Sequence, residues 1–569
     1  MNSGVTDTVK EHGDWWRGAT LYQIYPRSFS DSNGDGIGDL SGVTARLDYV
    51  QSLGVDGIWL SPFFSSPMRD FGYDVSDYFA VDPMFGTLAD FDRLVARAHA
   101  LQLKVIIDQV WSHTAREHPW FIESRNGRDN AKADWYVWAD PKADGSPPNN
   151  WQSWMGGPAW RWEPRRKQYH LHNFLPEMPD LNFHCAEVQD AVLTVAKFWL
   201  DRGVDGFRLD TANLYFHSRG LEDNPPFPPE QAGDTPVMMQ RHTHNIDQPE
   251  ALPFMERVRA LMDQYPDRMA VAEIGSPDSL TRMIEYTHGN ARLHTAYSFN
   301  FLGPRRDPPF VVEQMQPWQQ DTGRDAWPAW AFSNHDAVRV ATRWAGGEAT
   351  SFAFGAEAGK ATQDAAGISP QQLAKLHLTL LGSLRGTLFV YQGEELGLAQ
   401  SDVPFETIQD PYGKAQWPIN KGRDGCRTPF PWHSDAKHAG FTTGTPWLPV
   451  DAAHQQQAVD VQDGSSSSCL HFARALLALR HAHPALRLGS FEPVQVSDTL
   501  LVVRRQHEQD AVLCAFNFSS QSARVATPLV PYGLDKPLSV GQVRWDSEGL
   551  TLEAWSAVLF ALPTGGPTP

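Results

Sequence analysis

The sequence predicts an α/β chain: a (β/α)8 TIM barrel with an inserted subdomain after strand 3 and a C-terminal antiparallel β-sandwich domain. Three observations carry this reading. Eight short β-branched or aromatic runs recur along the chain, with amphipathic helical segments between the early ones. The connection after the third run is far longer than an ordinary βα loop. Beyond about residue 490 the helical spacing gives way to closely spaced strand-like runs.

The eight runs are 21–25, 57–60, 104–110, 206–210, 269–273, 295–299, 330–334 and 387–391. Segments 42–52 and 88–101 repeat apolar residues at helical spacing. Strand–helix alternation implies parallel strands with right-handed crossovers, and eight such units close a barrel whose chemistry sits at the carboxyl ends of the strands. Segment 112–182, rich in Trp, Pro, Asn and Gly, is the expected inserted subdomain, dividing the barrel into 1–111 and 183–490. Further irregular stretches are expected at 224–236, 346–370 and 400–447, and a helix over 471–482 should close the barrel. Strand-like runs at 499–504, 511–518 and 552–560 mark the sandwich domain, 491–569, whose final LPTGGPTP is expected to fray.

At 569 residues the chain exceeds one small core. Hydrophobic residues at 41% and charged residues at 20% describe a globular protein. A net charge of -19 weighs against nucleic acid, whose binding depends on basic neutralisation of phosphate. It favours small neutral partners. Cys185, Cys426, Cys469 and Cys514 form no CxxC pair and are too few for a disulfide framework. The N-terminal residues lack the apolar run of a signal peptide, and no stretch reaches the roughly 20 apolar residues of a membrane span. A cytoplasmic protein without membrane or nucleic-acid partners, monomer or homodimer, is the expectation.

Three acids stand at the ends of expected strands: Asp210 closes VDGFRLD, Glu273 closes MAVAE and Asp336 follows AFSNH. An acid ending a buried run costs desolvation energy. One such acid is as well explained as a helix cap; three on neighbouring strand ends, with Arg208 and His335 beside them, point to chemistry. Retaining glycoside hydrolysis needs two carboxyl groups about 5–5.5 Å apart, a nucleophile and a proton donor. Arg208 lies two residues before Asp210 and so on the same face of the strand. It should hold Asp210 ionised as the nucleophile. Glu273, with no adjacent cation, should keep a proton through burial. Asp336 would stabilise oxocarbenium character.

The segments DQVWSH (108–113), DGFRLDT (205–211), VAEI (271–274) and SNHD (333–336) resemble the four ordered motifs of the α-amylase superfamily, glycoside hydrolase family 13, and the likeness runs from YQIYPRSF (22–29) through the last barrel helix. The resemblance implies Asp210 as nucleophile, Glu273 as acid/base, Asp336 as transition-state stabiliser, and sugar contacts from His113, Arg208 and His335. MRDFGYDVSDY (68–78) and GRDGCRTPFPW (422–432) resemble motifs of the α-glucosidase and oligo-1,6-glucosidase branch, in which Asp70 holds the terminal glucose, Tyr73 stacks on it and Arg423 pairs toward Asp70. For Arg423 the alternatives are a surface salt bridge, or a role shared with or taken by Arg427. Phe174 matches an aromatic bordering the pocket. Met178 stands where the family commonly has glutamine, and methionine is a poor partner for a hydroxyl. In this branch valine after the nucleophile goes with α-1,6 preference and threonine or alanine with α-1,4, so Thr211 implies maltose-like substrates.

DSNGDGIGD (31–39) sets acids and amides at alternate positions. Asp31, Asn33, Asp35 and Asp39 with the carbonyl of Ile37 suit a hard cation, although no glutamate follows at an EF-hand's bidentate position, and a metal-free turn is the alternative. The resemblance places a structural Ca²⁺ here, with Mg²⁺ as second candidate. No organic cofactor is expected. Three functions are in view: an α-glucosidase acting on small neutral sugars, with glucosyl transfer to acceptors; a sucrose-directed transferase or isomerase, or oligo-1,6-glucosidase, on the same scaffold; and a non-catalytic transporter-associated homologue, which predicts an anchor and damaged acids.

Overall fold

A computed structural model describes residues 13–233, 235–320, 323, 325–346, 368–418, 420–525, 537–546 and 549–562. The loop expected at 346–370 and the expected fraying of the tail fall almost wholly outside these residues.

Eight parallel strands form the barrel: β1 (Thr20–Ile24), β2 (Gly57–Leu60), β3 (Lys104–Gln109), β4 (Gly206–Leu209), β5 (Met269–Ile274), β6 (Thr295–Ser298), β7 (Ala329–Ala331) and β8 (Thr387–Tyr391). Their order is β6-β5-β4-β3-β2-β1-β8-β7, and a parallel bridge between Ala296 and Pro328 joins β6 to β7. Each expected run falls on one strand. β7 is shorter than expected because side chains take over the hydrogen bonding beyond it. Asn334 Oδ1 accepts from the Asp336 and Ala337 amides at 2.9 and 2.8 Å, and Ser333 Oγ accepts from Val340 at 3.0 Å; such local bonds compete with a ladder.

The strands read as continuous apolar runs because both faces are buried. Tyr22, Ile58, Leu60, Val105, Ile107, Phe207, Leu209, Ala270 and Ala272 pack outward in the main core. Leu21, Trp59, Ile106, Met269, Val271, Tyr297, Ala329 and Phe389 fill the barrel interior. Helix Leu88–Ala100 starts at a capping box of Thr87 and Asp90 and buries Phe91, Leu94, Val95 and Ala98. The single helix expected over 42–52 is two, Leu40–Ala45 and Leu47–Ser52, broken where Arg46 leaves helical geometry (φ −106°, ψ 5°). Helix Cys469–Ala482 is stapled to the barrel by buried Arg480, which donates to the carbonyls of Gly18, Gly382 and Gly386.

Between β3 and β4 lies a small antiparallel sheet of Trp138–Ala139, Trp160–Glu163 and Gln168–Leu171. It carries its own core of Val137, Trp151, Ala159, Trp160 and Leu171. At the C-terminus a five-stranded antiparallel sheet faces a three-stranded one. Alternation along its strands serves two cores. Leu501, Val503, Cys514 and Leu559 pack toward the barrel, while Leu500, Val502, Leu513 and Val558 face the second sheet. All four cysteines are free, and among the described residues no helix is long and apolar enough to cross a membrane.

Candidate active site

A cavity of about 920 Å³, including its opening to solvent, lies at the carboxyl ends of the strands. Strand alternation brings the floor together. Ile106, Val271 and Tyr297 point into the barrel, so Asp108 and Glu273, two residues beyond Ile106 and Val271, point inward as well. Register then sets neighbours: Asp108 pairs with Arg208 across β3 and β4, and Glu273 with Tyr297 across β5 and β6.

Arg208, fully buried, is the hub. Its Nη1 donates to Asp108 Oδ1 at 2.7 Å and also contacts Asp210 Oδ1, while Nη2 contacts Glu273 Oε1. Asp108 is further held by Trp59 Nε1 at 3.0 Å and the Tyr73 hydroxyl at 3.1 Å. Glu273 accepts from the Tyr297 hydroxyl at 2.7 Å and from the Thr211 amide at 3.1 Å. Thr211 reaches it by adopting a left-handed conformation, φ 41° and ψ 46°, which costs a β-branched residue about 1–3 kcal/mol. Its hydroxyl lies 3.0 Å from Ser112 Oγ and 3.3 Å from Asp210 Oδ2.

A second ionic cluster borders the same cavity. Arg423, 4% exposed, reaches Asp70 Oδ1 at 2.5 Å, Asp336 Oδ1 at 3.2 Å and Asp410 Oδ1 at 2.8 Å. That burial overturns the surface salt-bridge alternative. Arg427 does not replace Arg423 but works beside it, donating to Asp336 Oδ1 at 2.7 Å and to the His335 carbonyl. His335 lies between two rings, stacked on Tyr73 at 5.1 Å and 5° and on Tyr25 at 5.9 Å and 19°. Gln23 Nε2 sits 2.9 Å from its Nδ1 and Asp336 Oδ2 3.2 Å from its Nε2. Both ring nitrogens of His113 are engaged, by Ser112 Oγ at 2.8 Å and the Tyr73 carbonyl at 3.0 Å. Phe174 packs 5.2 Å from the His113 ring. Phe174, Trp154, Met155, Met178, Leu214, Phe299 and Leu302 give the cavity an apolar upper wall.

Six carboxylates thus surround three guanidiniums. Two expectations need correction here. Arg208 is not reserved for Asp210, and Glu273 is not without a cation. Because one guanidinium serves Asp108, Asp210 and Glu273, burial outweighs it: the Asp210 and Glu273 carboxyls are each pushed up to about 7, and neighbouring carboxylates add to the rise. Burial likewise raises Asp108 to about 6. The second cluster goes the other way. Burial opposes ionisation of Asp336 and Asp410, but at Asp336 the attraction of His335, Arg423 and Arg427 prevails, and at Asp410 Arg423 brings the carboxyl down to about 2. Burial drives His335 to about 3 and His113 to about 4, so both are neutral near pH 7, and the arginines hold the Asp336 charge.

The loop at 31–39 is knitted together by its own backbone. Asp31 accepts from the amides of Asn33, Gly34 and Gly36. Asn33 Oδ1 accepts from the Asp35 amide, and Asp35 Oδ1 from the Ile37 amide, at 2.8 and 2.9 Å. Asp39 caps helix Leu40–Ala45 through the Gly42 amide and also binds Ser32. Among the described residues no three His, Cys, Asp or Glu side chains converge as a metal-holding group. The oxygen-rich donors suit a hard cation in kind, but Asp39 is committed elsewhere.

The structure therefore gathers Asp70, Tyr73, His113, Phe174, Asp210, Thr211, Glu273, Asp336 and Arg423 in the lining of one cavity, with Arg208 and His335 buried directly behind it against Asp210, Glu273 and Tyr73. Sequence reasoning did not single out Asp108 or Tyr297, whose link to Arg208 is a matter of strand register, nor Asp410, which lies in a Pro- and Gly-rich stretch with no signal of its own.

Residues 23–489 match the family model described as "Alpha amylase, catalytic domain". The chain is 51% identical over 537 residues to a "Probable alpha-glucosidase" of Rhizobium meliloti (strain 1021), covering 93% of this chain and 94% of the relative. It is 36% identical to an "Oligo-1,6-glucosidase" of Heyndrickxia coagulans, covering 90% and 94%. The crystal structure of an alpha-glucosyl transfer enzyme, XgtA, superposes with a TM-score of 0.89 at 51% identity, covering 96% of this chain and 99% of that one.

Proposed function

The chain belongs to the α-amylase family of glycoside hydrolases, within its α-glucosidase branch, and from that premise we propose that it is a retaining exo-α-glucosidase. It releases terminal glucose from short α-1,4-linked substrates such as maltose through a covalent glucosyl-enzyme intermediate, and passes part of the glucose to acceptors other than water. One observation carries the reading: a single buried guanidinium holds Asp210 and Glu273 together at one cavity, which the paired Asp70 and Arg423 also line.

In this reading Asp210 attacks the anomeric carbon while Glu273 protonates the departing oxygen. Both carboxyls titrate near neutrality, so a state with one proton between them is available at working pH, as the reaction requires. Asp336, kept ionised by the two arginines, lies at the sugar and favours positive charge developing at the ring. Glu273, then a carboxylate, draws a proton from the incoming acceptor and the ester to Asp210 is broken. Transfer is supported by the likeness to an alpha-glucosyl transfer enzyme and by the apolar upper wall, which suits an acceptor other than bulk water. The substrate is a neutral sugar. Among the described lining residues the only guanidinium or ammonium is that of Arg423, already committed to three carboxylates, so no cation there is left for an anionic substituent.

Thr211 is the proposed source of linkage preference. Thr211→Val removes the hydroxyl that meets Ser112 and Asp210 and should raise the isomaltose-to-maltose ratio of kcat/KM by about fivefold, one hydrogen bond's worth. Products followed over time with maltose, isomaltose and sucrose supplied separately test both points. Wild-type turnover of maltose before the other two supports the reading; turnover of sucrose alone, or of nothing, ends it, and an unchanged ratio in the variant removes Thr211 from linkage choice.

A structural Ca²⁺, or Mg²⁺, at Asp31, Asn33, Asp35 and the Ile37 carbonyl, joined by Asp39 on condition that it gives up Ser32, is proposed on the donor chemistry alone. It would brace the first βα loop and take no part in bond cleavage. Chelation should lower Tm by several degrees, reversed by added Ca²⁺; a Tm indifferent to chelator leaves the loop metal-free.

A further inference from the structure

We propose that Tyr297 is a positioning residue for the acid/base: by filling one oxygen of Glu273, its hydroxyl fixes the catalytic proton on the other. The inference rests on Glu273 being the proton donor, as proposed above.

The direction of each hydrogen bond follows from what each group can do. The phenol oxygen accepts from Arg208 Nη2 at 3.0 Å and lies 3.3 Å from Nε. A guanidinium has no acceptor to offer in return. The hydroxyl proton is therefore directed to its other neighbour, Glu273 Oε1, at 2.7 Å. Oε1 also meets Arg208 Nη2 directly. Two donors thus converge on Oε1, one of them charged, whereas Oε2 meets the single Thr211 amide at 3.1 Å. A proton on Oε1 would face both donors, so the neutral acid carries its proton on Oε2. In the forward step that proton passes from Oε2 to the glycosidic oxygen as the C1–O bond breaks and Asp210 bonds to C1. The alcohol leaves neutral and Glu273 is left as a carboxylate, which the Tyr297 hydroxyl then stabilises.

Position is enforced by the fold. Parallel register sets Tyr297 directly beside Glu273, and its ring is held by Trp59 at 6.2 Å and Phe389 at 5.7 Å inside the barrel. The residue is fully buried, so water cannot replace the hydroxyl without a rearrangement. Besides Tyr297 on β6, the charged groups facing Glu273 are Arg208 and Asp210 from β4 and its end and Asp336 beyond β7. Of these neighbours Tyr297 alone donates a neutral side-chain hydrogen bond that favours the ionised form.

The test is Tyr297→Phe, which keeps the ring, assayed on maltose and on 4-nitrophenyl α-glucoside across pH. Loss of the hydroxyl leaves Arg208 Nη2 as the one donor at Oε1, which weakens the preference for a proton on Oε2 and removes a donor to the carboxylate. We expect kcat/KM on maltose to fall about tenfold, a modest part of what general acid catalysis supplies. On the nitrophenyl substrate, whose leaving group scarcely needs protonation, the fall should stay within about threefold. The basic limb of the profile should move to higher pH. Incorporating 3-fluorotyrosine at 297, a stronger donor of the same shape, should move that limb to lower pH. Equal losses on both substrates with an unmoved limb, or no change in either variant, would overturn the proposal. Glu273→Gln is the control. If it discriminates between the substrates while both Tyr297 variants leave the basic limb in place, the role of Tyr297 falls and that of Glu273 stands; if Glu273→Gln fails to discriminate, the acid/base assignment itself falls.

Discussion

Asp210→Asn should reduce turnover of maltose by about 10⁴-fold or more while leaving the fold intact. The size of the loss follows from the role: without the carboxylate no covalent intermediate forms, and removing the attacking group of a catalytic unit costs about as much as removing the unit. The stability expectation follows from geometry. Asn keeps the shape of Asp and can still accept from Arg208 through its carbonyl. It also withdraws one of three carboxylates competing for that guanidinium. Tm should hold or rise. A variant retaining more than a few per cent of activity would remove Asp210 from the nucleophile's role, and a large fall in Tm would mean that its carboxylate is needed to build the site.

Glu273→Gln should be nearly as damaging on maltose, by roughly 10²–10⁴-fold, the range assigned to general acid–base catalysis. The informative part is its selectivity. Substrates with good leaving groups should recover much of the glycosylation rate, and small anions such as azide should restore turnover by attacking the intermediate without a base. The pH profile offers an independent sign. Glu273 is raised to about 7, chiefly by burial and then by the nearby Asp210, so wild-type kcat/KM should decline as pH climbs past neutrality and the donor loses its proton. Asp210 is raised likewise, so activity should also decline below neutrality as the nucleophile gains one. The two limbs belong to the coupled pair. In Glu273→Gln the alkaline decline should vanish, because glutamine does not titrate. An identical loss on every substrate, with the alkaline limb retained, contradicts the assignment.

The barrel could be read from the sequence because its strands are buried on both faces and stand out as short apolar runs, and the three acids because they end such runs against the cost of burying charge. Less was legible where a property belongs to a relation between strands. Arg208 and Asp210 share a face through two-residue alternation, which sequence shows. That Arg208 also serves Asp108 and Glu273 depends on the registers of β3, β4 and β5, which it does not show, and this sharing reversed the expected direction of the Asp210 shift. Tyr297 was hidden for the same reason: an aromatic in an apolar run looks like core until the neighbouring strand is known to present a glutamate. Asp410 reaches Arg423 from 13 residues away through an irregular stretch, where no periodicity points to a contact. The break of β7 at Ala331 was missed because the side-chain hydrogen bonds of Ser333 and Asn334 compete with the strand ladder.

Whether Asp210 becomes covalently bonded to glucose can be seen directly. The wild-type enzyme would be treated with 5-fluoro-α-glucosyl fluoride, whose intermediate turns over slowly, then digested with protease and read by mass spectrometry. One fluoroglucosyl group on the peptide carrying Asp210, absent from Asp210→Asn and lost again on adding an acceptor, is the expected result. No adduct together with β-glucose as the first-formed product of maltose, or a sugar attached to any other side chain, would contradict it.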